Sequence, residues 1–423
     1  MLARRQCFRR STAFAGLLCA ALCAAVHSAP PTKVEEQANL IGKPVSLAVQ
    51  PAMVELNGPR ATQQLVVTGK YADGTVRDLT LLATLRTDPA GLCELSGSWL
   101  TAKANGQAAI IIDAGGQSIR VPVTVKDFDK IKPVSFRHDV IASLNVGGCN
   151  QGACHGTPSG KNGFRLSLRG YDPPADFIQL TRDVFGRRTD KLNPLASLIM
   201  QKALGRVPHE GGSRFAIDSV PARNIVSWLA EGLRDDEPTL PALKHIEVLP
   251  GSRVLNAPAR WQQVAVIAHF ADGSARDVTR LTVFSSSDAV IAEVSMNGLV
   301  EFRQSGEAAI LCRYLDQMES IRLTYLEPKQ GFAWSNPPEV NYIDKLVFAK
   351  LKMLSIAPSE LCTDEEYIRR AYLDVCGMLP AGDSVKAFVA DKSADKRAKL
   401  IDNLLERPEI GRASCRERVY TPV

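Results

Sequence analysis

Tyr71-Ala72-Asp73-Gly74-Thr75-Val76-Arg77-Asp78-Leu79-Thr80 returns, 199 residues later, as Phe270-Ala271-Asp272-Gly273-Ser274-Ala275-Arg276-Asp277-Val278-Thr279. Further along, Gly106-Gln107-Ala108-Ala109-Ile110 returns 200 residues later as Gly306-Glu307-Ala308-Ala309-Ile310. A spacing held across both matches means that whole modules are repeated. Apolar runs precede each hairpin signature: Gln64 to Thr68 in the first copy and Val264 to Ala268 in the second. The Asp-Gly step suits a tight turn, because Gly takes positive φ without steric cost. Several short strands punctuated by turn residues predict a β-sandwich for each copy. Cys93 and Cys312 are not at equivalent places, so the buried cross-sheet disulfide of antibody domains is not expected.

The rest of the hairpin motif, with Ser286 to Asp288, Asn297 to Val300 and the Gly-x-Ala steps, resembles group 2 bacterial immunoglobulin-like domains. The resemblance covers 43–127 and 245–327. It implies spacer or adhesive modules, since fold alone does not assign function.

Chemistry concentrates between the two copies. Gly147-Gly148-Cys149-Asn150-Gln151-Gly152-Ala153-Cys154-His155-Gly156 closes a cysteine pair on Cys-His. That is the logic of covalent haem c attachment, with Cys149 and Cys154 as thioether donors and His155 as proximal iron ligand. Four residues separate the cysteines where two are usual. A local Cys149–Cys154 disulfide and a Cys/His zinc site are the alternatives. Phe136 to Val146 has helical apolar spacing, Pro194 to Met200 opens a short helix, and Ser219-Val220-Pro221 opens an amphipathic one.

With Asn162 to Asp172 and the Val207-Pro208-His209-Glu210-Gly211-Gly212 loop, residues 134–236 resemble a planctomycete-type cytochrome c domain. The resemblance implies one covalent haem with His209 as distal ligand and Met200 as the competing one. Residues 338–409 resemble the start of the uncharacterised helical domain that accompanies such cytochromes. Helices are expected after Asn341 and Thr363, the latter ending near Gly377, and over 383–390 and 394–405.

The expected fold class is therefore multidomain: two all-β immunoglobulin-like sandwiches flanking an all-α cytochrome c-like domain, then a truncated all-α C-terminal domain. Hydrophobic residues at 45% and charged ones at 23% exclude a mostly disordered chain. Of the net charge of +6, four charges sit at Arg4, Arg5, Arg9 and Arg10 and two more between Arg412 and Arg418. The body is neutral, which argues against nucleic acid as a partner.

The basic start and the apolar run AFAGLLCAALCAAV predict an export signal over 1–29, with no transmembrane span left after its removal. Periplasm or cell surface is the expected location. Glu409 to Val419 reads EIGRASCRERV, the translation of a common sequencing adapter, so 410–423 is expected to be an artefact. No nucleophile–base constellation is visible. The functional expectation is an exported electron-transfer haem protein with a redox partner. Its rival is a haem-free envelope protein, structural or binding cell-envelope and polysaccharide components.

Overall fold

A computed structural model describes residues 33–410, so the expected export signal and nearly all of the expected adapter segment lie outside the described residues. The chain divides into two compact units, through Pro328 and from Lys329.

In the first unit, α1 (Val34–Ile41) precedes β1 (Ser46–Gln50), β2 (Val54–Asn57), β3 (Thr62–Gln64), β4 (Val66–Lys70) and β5 (Val76–Asp78). Then come β6 (Thr84–Asp88), β7 (Cys93–Ser96), β8 (Trp99–Ala102), β9 (Gly106–Ala114) and β10 (Gln117–Lys126). They assemble as β1-β4-β5, β2-β10-β9-β6 and β3-β8-β7. After the intervening helices the pattern repeats with β11 (Leu243–Leu249), β12 (Arg253–Asn256), β13 (Trp261–Gln263), β14 (Ala265–Phe270) and β15 (Ala275–Asp277). It finishes with β16 (Val283–Ser286), β17 (Ala292–Val294), β18 (Leu299–Phe302), β19 (Gly306–Tyr314) and β20 (Gln317–Leu326). The sheets are β11-β14-β15, β12-β20-β19-β16 and β13-β18-β17, strand for strand the order of the first copy.

The two Asp-Gly hairpins are built alike. Asp73 Oδ1 accepts from the Thr75 N–H and hydroxyl at 2.9 and 2.7 Å, and Asp272 Oδ1 accepts from those of Ser274 at 2.9 and 2.6 Å. Gly74 and Gly273 take φ of 80° and 84°, which a Cβ would oppose. Each sandwich closes on its own aliphatic core: Leu56, Leu65, Leu100 and Ile110 in the first, Leu255, Val266, Ile310 and Leu323 in the second. Full burial of each such side chain contributes about 1.5–3 kcal/mol.

The two copies bind each other through matching residues. Asp78 ends β5, and its Oδ2 accepts from Gln262 Nε2 at 2.5 Å and the Gln263 N–H at 2.7 Å. Asp277, its counterpart at the end of β15, accepts through Oδ2 from Gln63 Nε2 at 2.9 Å and the Gln64 N–H at 2.8 Å. The other carboxylate oxygens accept from the Thr80 and Thr279 N–H groups of their own modules. Val66, Leu249, Ala265 and Ile267 form a small apolar cluster beside the exchange. The arrangement is a pseudo-twofold version of an isologous dimer contact.

Between the copies lie a single π-helical turn (Phe136–Val140), α2 (Ile141–Val146), α3 (Pro173–Thr181), α4 (Leu198–Ala203) and α5 (Val220–Ala230). The expectation of a self-standing all-α cytochrome c-like domain here is corrected. The fold is mainly β-sandwich with a helical C-terminal part. Six-residue α2 and α4 are far below the length at which helices persist alone. α2 is held by the second sandwich: Ala142 joins its core, and the Tyr314 hydroxyl donates to the His138 carbonyl at 2.8 Å, while α4 packs on the helices' own cluster through Ile199, Met200 and Ala203. Arg276 bridges the Tyr314 hydroxyl and Asp139 at 2.8 and 2.9 Å. From the first sandwich, Arg60 reaches Glu231 at 2.8 Å.

The second unit contains α6 (Tyr342–Met353), α7 (Asp364–Cys376), α8 (Gly382–Ala390) and α9 (Lys396–Leu405). Asn341 and Thr363 each form a capping box, and Gly377 ends α7 in the left-handed conformation. Ile368, Tyr372, Cys376, Phe388 and Leu404 fill its core. Asp364 joins α7 to α9 by accepting from Lys396 at 2.5 Å and Arg397 at 2.9 Å.

Burial pushes the carboxyls of Asp78 and Asp277 up to about 6. Between the unfolded value of 3.8 and about 6 the folded chain therefore holds more protons, and stability falls as pH rises through that window. The Asp78→Asn/Asp277→Asn double variant should lose much of this slope in denaturant titrations at pH 4.5 and 7.5; an unchanged slope would contradict it. Asp78→Ala strands the buried Gln263 N–H and should cost about 2–3 kcal/mol in the same titration at pH 7.5.

Candidate functional site

The Cys/His loop is a self-bonded turn at the end of α2. Gly148, at φ 69°, turns the chain out of the helix. The Cys149 N–H donates to Leu144 O at 3.0 Å, the Cys154 N–H to Gln151 O at 2.9 Å, and the His155 N–H to Cys149 O at 2.9 Å. Gly156 is obligatory for a steric reason: a Cβ there would stand 2.2 Å from Asn150 O. The side-chain amides of Asn145 and Asn150 are buried with no protein partner, a situation normally relieved by internal water.

His155 is held on two sides. Its Nδ1 lies 3.0 Å from the Phe164 carbonyl, and its ring packs on the Phe164 ring with centroids 4.5 Å apart. Arg188 covers the Phe164 ring at 4.6 Å. Burial, offset in part by the Phe164 carbonyl, lowers the His155 pKa and favours the neutral imidazole. His209 arrives on the glycine-rich loop, its Nδ1 2.9 Å from Gly212 O, and an ion pair of Lys161 with Glu210 at 2.8 Å joins the two loops. The two imidazoles face one another, centroids 6.5 Å apart and planes 5° from parallel. The tertiary structure thus brings together His155 and His209, 54 positions apart in the chain.

Both expected thioether cysteines lie near Arg214. Cys149 packs against the Phe136–Trp228 core, and burial pushes its thiol up to about 12. Cys154 Sγ lies 3.7 Å from Arg214, and both cysteines are free thiols. Met200 is fully buried in the same core. The cleft beside His209, about 480 Å³, is lined by residues between Leu204 and Ser213, with neither cysteine nor His155 on its wall. Among the described residues no three His, Cys, Asp or Glu side chains converge as a metal site.

Sequence reasoning missed Phe164, Arg188 and Lys161, which hold the two histidines in place. Arg188 could not be told from a solvated face by sequence, yet it is buried and ion-paired to Asp183 at 3.0 Å.

A model of the family described as PSCyt2, a protein of unknown function (DUF1549), matches residues 342–418. No curated protein matches the chain. Among solved structures, domains 5–6 of the S-layer protein SbsC are similar at 13% identity, covering 67% of this chain and 99% of that one, with a TM-score of 0.26. Domains 4–9 of SbsC are similar at 13% identity over 67% of this chain and 31% of theirs, with a TM-score of 0.26. The Yersinia pseudotuberculosis adhesin InvE is similar at 8% identity over 66% of this chain and 58% of its own, with a TM-score of 0.15.

The family match falls on the C-terminal helices, outside residues 134–236. With the donor set above, this corrects the cytochrome c resemblance of 134–236 and the reading of the chain as an iron-binding electron-transfer protein. No helix among the described residues is long and apolar enough to cross a membrane.

The half-buried Cys149 thiol, its ionisation suppressed by burial against the core, should alkylate slowly. Iodoacetamide added to native protein at pH 8 should label Cys149 slowly, by peptide mass spectrometry, and far faster after denaturation. Labelling of Cys149 as fast as in the unfolded chain would contradict its placement.

Proposed function

We propose that this is an exported, haem-free protein of the cell envelope, periplasmic or on the cell surface, in which paired sandwiches form a stiff structural and binding scaffold. The observation that carries the reading is the reciprocal exchange of Asp78 and Asp277 with the Gln262–Gln263 and Gln63–Gln64 steps. Modules joined by a flexible linker make no such contact. A buried contact of this kind fixes their relative orientation, which suits a spacer that holds neighbouring surfaces apart. The export signal expected over 1–29 supports the location. The Cys/His loop is, in this reading, a structural turn, with His155 pinned between Phe164 and its carbonyl.

The experiment is expression of the full chain together with a haem-attachment machinery, followed by a pyridine haemochrome spectrum and co-sedimentation with envelope polysaccharide. No covalent haem and retention in the envelope fraction are expected. Stoichiometric haem that is lost in Cys154→Ala would overturn the reading.

A further inference from the structure

A second cleft, about 540 Å³, lies between the Cys/His loop and the outer face of the second sandwich. Its walls are Gln151 to Ala153 and Leu168–Arg169 on one side, and side chains of β16, β19 and β20 on the other. Two guanidinium groups share it, those of Arg169 and Arg313. Neither has a carboxylate partner among the described residues; Arg313 donates only to the Leu315 carbonyl, at 3.3 Å. Two like charges on one cleft repel unless an anion lies between them.

The repeat shows that this face is special to the second copy. In the first sandwich the equivalent cross-strand row is Thr84–Asp113–Ser118, and Asp113 is ion-paired with Arg86 at 3.8 Å. In the second the row is Val283–Arg313–Met318, in the same register, with Ser285 where Arg86 stands. The acid has become a base, its counter-ion has gone, and the flanking polar residues have become apolar. Met318 is 51% exposed and Leu168 46%, so the apolar surface is open to a ligand. Arg169 itself sits at φ 57°, a conformation that costs a non-glycine residue about 1 kcal/mol or more. Strain of that kind is tolerated where a side chain must be delivered to one place.

We propose that this cleft binds an organic carboxylate, its head gripped by Arg169 and Arg313 and its apolar body lying on Leu168, Val283, Leu311 and Met318. Planar guanidinium forks match a carboxylate through paired hydrogen bonds, and the apolar floor selects against small inorganic anions. The inference stands on this face alone and does not depend on the envelope reading.

The test is isothermal titration calorimetry of the full chain with octanoate, with octanol and acetate as controls. Octanoate should bind, with octanol and acetate each at least about tenfold weaker. Arg313→Asp, which restores the residue of the first sandwich, and Arg169→Gly should each weaken octanoate by about tenfold or more. Arg169→Gly also relieves the backbone, so its melting temperature should equal or exceed that of the parent, which separates loss of the site from loss of the fold. Equal affinity in parent and variants, octanol binding as tightly as octanoate, or no octanoate binding at millimolar concentration would each overturn the proposal.

Discussion

Asp78 and Asp277 each carry a carboxylate out of the water and into the contact between two homologous sandwiches. Desolvation of a carboxylate is costly, and here it is offset only because each accepts backbone and amide N–H donors from the other module and from its own. The contact is therefore specific in a way that an apolar patch is not: a shifted register would strip both acids of the donors from the other module. Much of the first unit depends on this constraint, because the orientation of the sandwiches sets the space available to the helices between them.

Those helices show what a short segment needs from its surroundings. Phe136, Phe177 and Trp228 meet in edge-on and tilted ring contacts 5.1–6.3 Å apart and form a small core of their own. The turns that carry them are nonetheless too short to persist unaided, and Arg276, Tyr314 and Arg60 tie them to both sandwiches. The Cys/His loop inherits its shape from this anchoring. Of its cysteines, one packs against the core and the other meets Arg214, while its histidine is presented to His209.

The two copies share strand order and hairpin chemistry but differ in their outer faces. The reversal from Asp113 to Arg313 costs nothing in the core, since both positions lie on the outward side of a β19-type strand. Divergence confined to such a face is how one scaffold acquires a surface the other lacks, and the neighbouring Leu168–Arg169 turn is what makes a cleft of it.

Local chemistry by itself determined a good deal. The Asp-Gly turns, the repeat of strand pattern, and the helix starts at Ser219, Asn341 and Thr363 depend on contacts within a few residues, which a sequence displays directly. Only the tertiary structure decided the rest. Asp78 reads as one more polar residue of a hairpin until Gln262 and Gln263, 184 and 185 positions away, are seen to donate to it. Cys149 and Cys154 read as a matched pair because their spacing in the chain is all that a sequence shows. Packing treats them differently: Cys149 packs against the core below α2 and Cys154 meets Arg214. Spacing along a chain constrains which groups can meet; the cost of desolvating them decides which do.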